Sequence, residues 1–190
     1  MSQVNQDQDQ VRDSASIRSS GIWRKERGDL PDINVWLALV QMDHVHHAVA
    51  QAYWQETMLR LTQDEASDSS KRAAEKLYFC RTTMLGFVRV LCQSERAKGQ
   101  QVEMHQVMAA YQRFMDLEEV SFLQEPWLGV NAALTTLLNA HPKLPLHTST
   151  DVYLVALAQT TGLRLVSFDR DYRRFEDLDC LILGAAPSAL

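Results

Sequence analysis

Short apolar runs that pass straight into helical patterns, often with an aspartate at the junction, constrain this chain most. Leu30-Pro31-Asp32-Ile33-Asn34-Val35-Trp36-Leu37-Ala38-Leu39-Val40 reads as a very short strand that turns at once into a buried helix. Leu77 to Cys80, Val120 to Leu123, Leu163 to Phe168 and Cys180 to Leu183 are the other strand candidates. Helical segments separate them. His44 to Leu61 places Val45, Val49, Ala52, Tyr53 and Leu59 near helical spacing, and Thr82 to Gln93 follows the second strand. Glu103 to Leu117 is amphipathic through Val107, Tyr111, Phe114 and Met115. Trp127 to Ala140 is closed by Pro142 and Pro145, and the cap-forming run Thr148 to Asp151 opens a helix that Gly162 ends after Thr161. The polar stretch Thr62 to Lys76 reads as an exposed loop or frayed helix end. Strands alternating with helices predict an α/β domain, a central and mainly parallel sheet with helices on both faces.

The chain has 190 residues, 46% hydrophobic and 23% charged, enough for one domain with a core of useful size. Residues 1–27, rich in Gln, Asp and Ser, have little to bury and are expected to form a disordered extension ahead of a domain over 28–190. No apolar run approaches the ~20 residues of a membrane span, and Met1 to Gln10 lacks the basic start and apolar centre of a secretory signal, so a cytoplasmic location is expected. Cys80, Cys92 and Cys180 are far apart and form no CxxC pair, which excludes a zinc knuckle or disulfide framework and leaves buried thiols. A formal net charge of -5 argues against a protein that holds nucleic acid by charge alone. It leaves room for an acidic site that meets phosphate through metal ions, and for a basic partner chain.

In parallel sheets, reactive groups collect beyond the carboxyl ends of the strands. Asp32 stands where the first strand becomes a helix, Asp151 opens the helix of the last third, and Asp169 follows the strand Leu163 to Phe168. Each also has a plain structural reading, Asp32 and Asp151 as helix caps and Asp169 as a turn residue. Together they predict one pocket whose mutual repulsion calls for a cation. Oxygen ligands select Mg²⁺ or Mn²⁺, and a metal so held activates water and stabilises a phosphoryl transition state.

Four segments in order carry a family resemblance. Pro31 to Leu39 resembles the opening motif of PIN-domain proteins, particularly VapC-type toxins of bacterial toxin–antitoxin pairs, and His44 to Trp54 resembles the helix that follows in that subfamily. Thr83 to Leu91 is similar to the second motif, Asp151 to Ala158 to the third and Leu165 to Tyr172 to the fourth. The resemblance runs from about Leu30 to Leu183. It implies a three-layer α/β/α fold and an Mg²⁺-dependent endoribonuclease site holding Asp32, Asp151 and Asp169. Asn34 would brace the first loop, Ser167 would stand beside the metal pocket, and Asp171 is a weaker fourth acid. It further implies an RNA substrate, a cognate antitoxin that blocks the acidic cleft with an arginine, and a homodimer. One departure stands out: the second motif usually begins Thr-Glu, and here the acidic position is Met84.

His44, His46 and His47 lack the i,i+4 spacing of HExxH sites and read as an exposed helix start. Arg164, Arg170, Arg173 and Arg174 flank the fourth motif as a solvated face or a phosphate-steering patch, and Arg89 points to the site entrance or to an acid partner. Ile33 to Val40 and Trp127 to Leu138 carry more large side chains than one sheet face needs, which predicts a homodimer surface or a groove for a partner helix. Met84, Met104, Met108 and Met115 belong to the core or to that surface. Two rival readings stay open: a PIN-like module that binds RNA or protein without cleavage, favoured by Met84, and a phosphatase using Asp32 as nucleophile, disfavoured by Asn34 two residues later.

Overall fold

Residues 26–65 and 75–184 are described by a computed structural model. Five parallel strands form one sheet in the order β3-β2-β1-β4-β5: β1 (Gly28–Pro31), β2 (Lys76–Phe79), β3 (Val120–Phe122), β4 (Arg164–Ser167) and β5 (Cys180–Ile182). Asp29 pairs with Leu77 of β2 on one side and Arg164 of β4 on the other, so β1 is central. Six α-helices intervene: α1 (Ile33–Val40), α2 (His47–Glu65), α3 (Arg81–Ala97), α4 (Met104–Met115), α5 (Trp127–Ala140) and α6 (Ser149–Thr161). Short 3₁₀ turns cover Leu146–Thr148 and Arg170–Arg174. Every predicted strand and helix is present, and the sheet is parallel throughout. The predicted disordered extension lies outside the described residues except for Glu26 and Arg27, which bond to Tyr78 and Glu75. Of the predicted loop Thr62 to Lys76, the first residues continue α2 to Glu65, Lys76 starts β2, and 66–74 lie outside the description.

Alternation along the strands divides the interior in two. Leu77, Phe79 and Val166 face a cluster built by Val35, Trp36 and Leu37 of α1 and Phe87 of α3. Leu30, Tyr78 and Leu165 face the other way, onto Val130 of α5 and Val152 and Val155 of α6. The three layers follow, with α1 to α4 on one face and α5 and α6 on the other. Trp36 is the hub of the first layer, stacked on Phe79 at 3.9 Å between centroids and edge-on to Phe114 and Trp54. Gly86 lets α3 approach α1 closely, since a Cβ there would meet Ile33 Cδ1 at 2.2 Å. Gly162, at φ 78°, ends α6 in the left-handed conformation that its lack of a Cβ permits.

Two expectations are corrected by packing. The large side chains of α1 are mostly covered within the chain, five of its residues being buried, so its body offers no partner surface and only its C-terminal end, at Leu39 and Val40, lines a groove. On α2 the buried stripe is Ala50, Tyr53, Thr57 and Leu61, which keeps Tyr53 of the expected set, whereas Val49, Ala52 and Leu59, and Val45 just ahead of the helix, are exposed. The tyrosine–aspartate bond below belongs to that face. Arg164 is likewise no part of a steering patch. Its Nε and Nη2 donate to the two carboxylate oxygens of Asp29 at 2.8 Å each, and Tyr53 Oη donates to Asp29 Oδ2 at 2.8 Å. This network sits at the start of β4, the edge of the sheet opposite the end of β1. Asp29 is 2% exposed, so removing it leaves a guanidinium and a phenol without their acceptor. Arg164 is about a third exposed and can be rehydrated, so Asp29→Ala is expected to cost about 1–3 kcal/mol in urea unfolding, and a loss below about 0.5 kcal/mol would show the pair to be dispensable.

Candidate metal centre

The strand order reverses at β1, which has β2 on one side and β4 on the other, and in such sheets the carboxyl ends of the strands at the reversal, here β1 and β4, are where a ligand crevice forms. Asp32 is the first residue past β1, Ser167 the last of β4, and Asp169 stands two residues further. Helix α6 runs back toward β4, so its first turn, with Asp151, opens at the same edge.

Asp32 is held from three directions. Its N–H donates to Val166 O at 2.8 Å, extending the ladder one residue past β1. Oδ1 accepts from Ile33 N at 2.6 Å, the cap of α1. Oδ2 accepts from Asn34 Nδ2 at 2.8 Å and Ser167 Oγ at 2.9 Å, and Asn34 Nδ2 also reaches Ser167 Oγ at 2.9 Å. Asn34 Oδ1 accepts from Phe168 N at 3.3 Å, and Ser167 Oγ accepts from Asp169 N at 3.0 Å. Asn34 and Ser167 therefore brace both Asp32 and the turn after β4. Among the described residues no basic side chain bonds to Asp32. Burial pushes its carboxyl up to about 6; the bonds from Ser167 and Ile33 act against this, and the charges of Asp151 and Asp169 add to it.

Asp151 is half-buried in the first turn of α6 and does not cap it, since the cap position belongs to Thr148. Its carboxyl is raised by burial and then by Asp169, while Tyr172, Arg174 and His147 work the other way. Tyr172 Oη donates to Asp151 Oδ1 at 3.4 Å. Asp169 is exposed, and its Oδ1 accepts from Asp171 N at 2.8 Å, so it does form the turn that its local sequence suggests. Its charge still acts on Asp32, Asp151 and Tyr172. Asp171 is exposed and paired with Arg174.

The remaining predicted features fall elsewhere. Met84 is packed in the cluster with Phe87 and Val88, and α3 opens on Cys80 and Thr83, which bond to each other's backbone N–H. His46 and His47 are half-buried rather than an exposed helix start: His47 Nδ1 meets Ala38 O at 2.7 Å, and the His46 ring stacks on Phe168 at 4.3 Å. Arg89, Arg170 and Arg173 are exposed. Cys80 is buried, whereas Cys92 and Cys180 are half-buried; all three thiols are free. Sequence reasoning passed over Tyr172 as an ordinary member of its turn, yet it is 1% exposed and aims its hydroxyl at Asp151. An aromatic with a hydroxyl three residues past Asp169 was the available signal.

No family model matches the chain. Among curated proteins it is similar to ribonuclease VapC41 of Mycobacterium tuberculosis, 28% identical over 161 residues that cover 82% of this chain and 98% of the relative. Among solved structures it superposes on VapBC2 from Rickettsia felis bound to a DNA fragment from their promoter, with a TM-score of 0.55, 9% identity, and coverage of 82% and 98%. It also superposes on Mycobacterium tuberculosis VapC20, a Sarcin-Ricin loop cleaving toxin, with a TM-score of 0.53, 13% identity, and coverage of 80% and 98%. The chain has the PIN-domain fold of the VapC proteins.

The donor set suits a hard cation in one respect and limits it in another. Three carboxylates lie within electrostatic reach of one another, one of them buried with no basic side chain bonded to it among the described residues, and their charge favours an oxygen-seeking ion. Among the described residues, however, no three His, Cys, Asp or Glu side chains stand close enough together to enclose one. Asp32 and Asp151 would hold Mg²⁺ or Mn²⁺ with water completing the shell, as Mg²⁺ commonly requires. The uncompensated Asp32 then dictates a pH response. Unfolded, its carboxyl titrates near 3.8 and folded near 6, so the folded chain holds the extra proton between those values and stability falls as pH rises through them. The penalty is absent below 3.8, complete above about 6, and on the order of 3 kcal/mol. Mn²⁺ should therefore raise the melting temperature at about pH 7.5 and leave it unchanged at about pH 4.5. Equal shifts at both would place the ion elsewhere.

Proposed function

We propose that this chain is a metal-dependent endoribonuclease, the toxin of a VapBC-type toxin–antitoxin pair acting in the cytoplasm. The observation that carries the reading is Asp32, buried at the switch point and held by Ile33, Asn34 and Ser167 with no basic side chain bonded to it among the described residues, while Asp151 and Asp169 bear on it from the same edge. The similarity to a VapC ribonuclease over most of both chains supports it. Asp32, Asp151 and Asp169 are the proposed site acids. Mg²⁺ or Mn²⁺ at Asp32 and Asp151 would supply an activated water and charge stabilisation at the phosphoryl oxygens of RNA.

The protein's share of the work is preorganisation. Asn34 and Ser167 fix Asp32 before any ligand arrives, so no reorientation is needed when phosphate enters. Tyr172 restrains Asp151 from behind. Asp169, exposed at the mouth, is free to act through water and to accept a proton from the attacking molecule.

An antitoxin has two places to engage. An arginine reaching Asp32 would supply the missing counter-charge and occupy the place of the metal. An apolar helix fits the 570 Å³ groove between the ends of α1 and α3 and the faces of α2 and α4, lined by Leu39, Trp54, Leu91, Val107, Ala110 and Phe114. A homodimer would cover the exposed face of α5, where Trp127, Leu128 and Leu138 are 64%, 60% and 53% exposed. Among the described residues no helix is long and apolar enough to cross a membrane.

The rival module without catalysis draws on one observation, Met84 in the place of an acid. Purified protein with Mg²⁺ or Mn²⁺ should cleave RNA, and Asp32→Asn and Asp151→Asn should each lose about 100-fold or more of the rate. RNA bound but left intact by the parent selects the module instead. Replacing Arg173 and Arg174 together by Ala is expected to lower the salt slope of RNA binding by about 1 to 2, and an unchanged slope removes them from phosphate steering.

A further inference from the structure

The loop between α1 and α2, Gln41 to His46, is unusually well tied down for a segment that exposes apolar side chains. Gln41 Nε2 donates to Ser94 Oγ at 2.7 Å, and Lys98 Nζ bonds to Asp43 Oδ1 at 2.8 Å, both from α3. Within the loop, His44 N donates to Gln41 O at 3.0 Å, His46 N to His44 Nδ1 at 3.2 Å and His47 N to His44 O at 2.9 Å. Met42 and Val45 nevertheless stand 86% and 87% exposed at its tip. His46 turns the other way. Its ring lies on Phe168 nearly parallel, 11° between planes at 4.3 Å, with His44 tilted beside it at 5.7 Å.

Phe168 is the residue between Ser167 and Asp169, and its N–H is bonded to Asn34. The stack is thus bolted to the same residues that hold Asp32. Core packing explains Phe168, which rests on the first cluster. It does not explain a half-exposed imidazole laid flat over it, with no hydrogen bond to its ring nitrogens from any described residue, nor two apolar side chains held out in water beside it. Flat rings next to a nuclease centre are what unstacked bases seek, because every base has a π-face.

We propose that His46, backed by Phe168 and flanked by Val45, is a positioning residue that stacks a nucleobase of single-stranded RNA next to the scissile phosphate. This rests on the endoribonuclease reading for its substrate. A rigid platform of this kind orders the strand before chemistry and sets which nucleotide stands beside the cut. His46 touches the base and leaves the reacting atoms to the carboxylates.

Binding of fluorescent single-stranded RNA 12-mers to the full chain, without divalent metal so that no cleavage occurs, tests this. His46→Ala should weaken binding about five-fold or more, in the range of one lost base stack, and His46→Phe should stay within about two-fold of the parent, since the flat ring is retained. Val45→Ser should weaken binding about two-fold or more, an effect that fold disruption cannot produce at so exposed a position. On an abasic strand of equal charge, the parent and His46→Ala should bind alike. With metal restored, His46→Ala should raise KM and change the nucleotide preference at the cut while Asp32→Asn abolishes the rate. Unchanged binding by His46→Ala overturns the platform, as does an equal loss on the abasic strand. A change in self-association with RNA affinity intact assigns the loop to a second copy and overturns it also. RNA bound through His46 but left uncut by the parent refutes the nuclease reading and leaves the platform standing.

Discussion

The central pairing of β1 with β4 carries two buried aspartates three residues apart, and the difference between them organises the molecule. Asp29, at the start of the pair, faces Arg164 and is neutralised by it, with Tyr53 tying in α2. Asp32, just past the other end, faces Ser167 and receives only neutral donors. Both carboxylates satisfy their hydrogen bonds, so neither is an ordinary buried orphan. One is matched in charge and serves stability. The other is matched in geometry alone, and the unbalanced charge is available to whatever enters the crevice.

That asymmetry explains why the site keeps its shape without a ligand. A carboxylate pressed by two acidic neighbours would swing away if it were free to do so. Here Ile33 N–H, Asn34 and Ser167 pin both oxygens, and Asn34 and Ser167 extend the hold to the backbone of Phe168 and Asp169. The turn after β4 and the turn after β1 become one unit. A divalent ion and an arginine from a partner chain answer the same electrostatic demand, which is the physical basis on which one can exclude the other.

The layout of strands and helices was legible because each element carries its own punctuation. Asp32 caps α1 and Gly162 ends α6, both readable from type and position. Asp151 was legible in its position at this edge of the sheet but not as a residue free of capping, since one turn of 3₁₀ helix before α6 moves the cap to Thr148. The face of α2 was legible only at Tyr53, because small Ala50 and polar Thr57 make up half of its buried stripe. Tyr53 bonds inward to Asp29, and Val49 and Leu59 are left outside. Periodicity counts apolar residues and is blind to a hydrogen bond formed across 24 positions of sequence. The same blindness hid Arg164, whose neighbours in sequence point to RNA while its partner in space lies on β1.

Met84 stands where the resemblance implies an acid, and it belongs to the core instead. The first turn of α3 is closed on itself through Cys80 and Thr83, and Met84 packs against the aromatic core, where an unpaired carboxylate would carry a large desolvation cost. With that position apolar, the negative charge of the crevice is concentrated on the β1–β4 side, at Asp32, Asp151 and Asp169. Fewer acids mean weaker repulsion to overcome on folding and weaker attraction for a cation. For an ion bound there, the rigid hold on Asp32 would recover part of that attraction. A pinned ligand has no rotamer freedom left to surrender on binding, so preorganisation of Asp32 would offset in entropy part of what an apolar residue at Met84 forgoes in Coulomb energy.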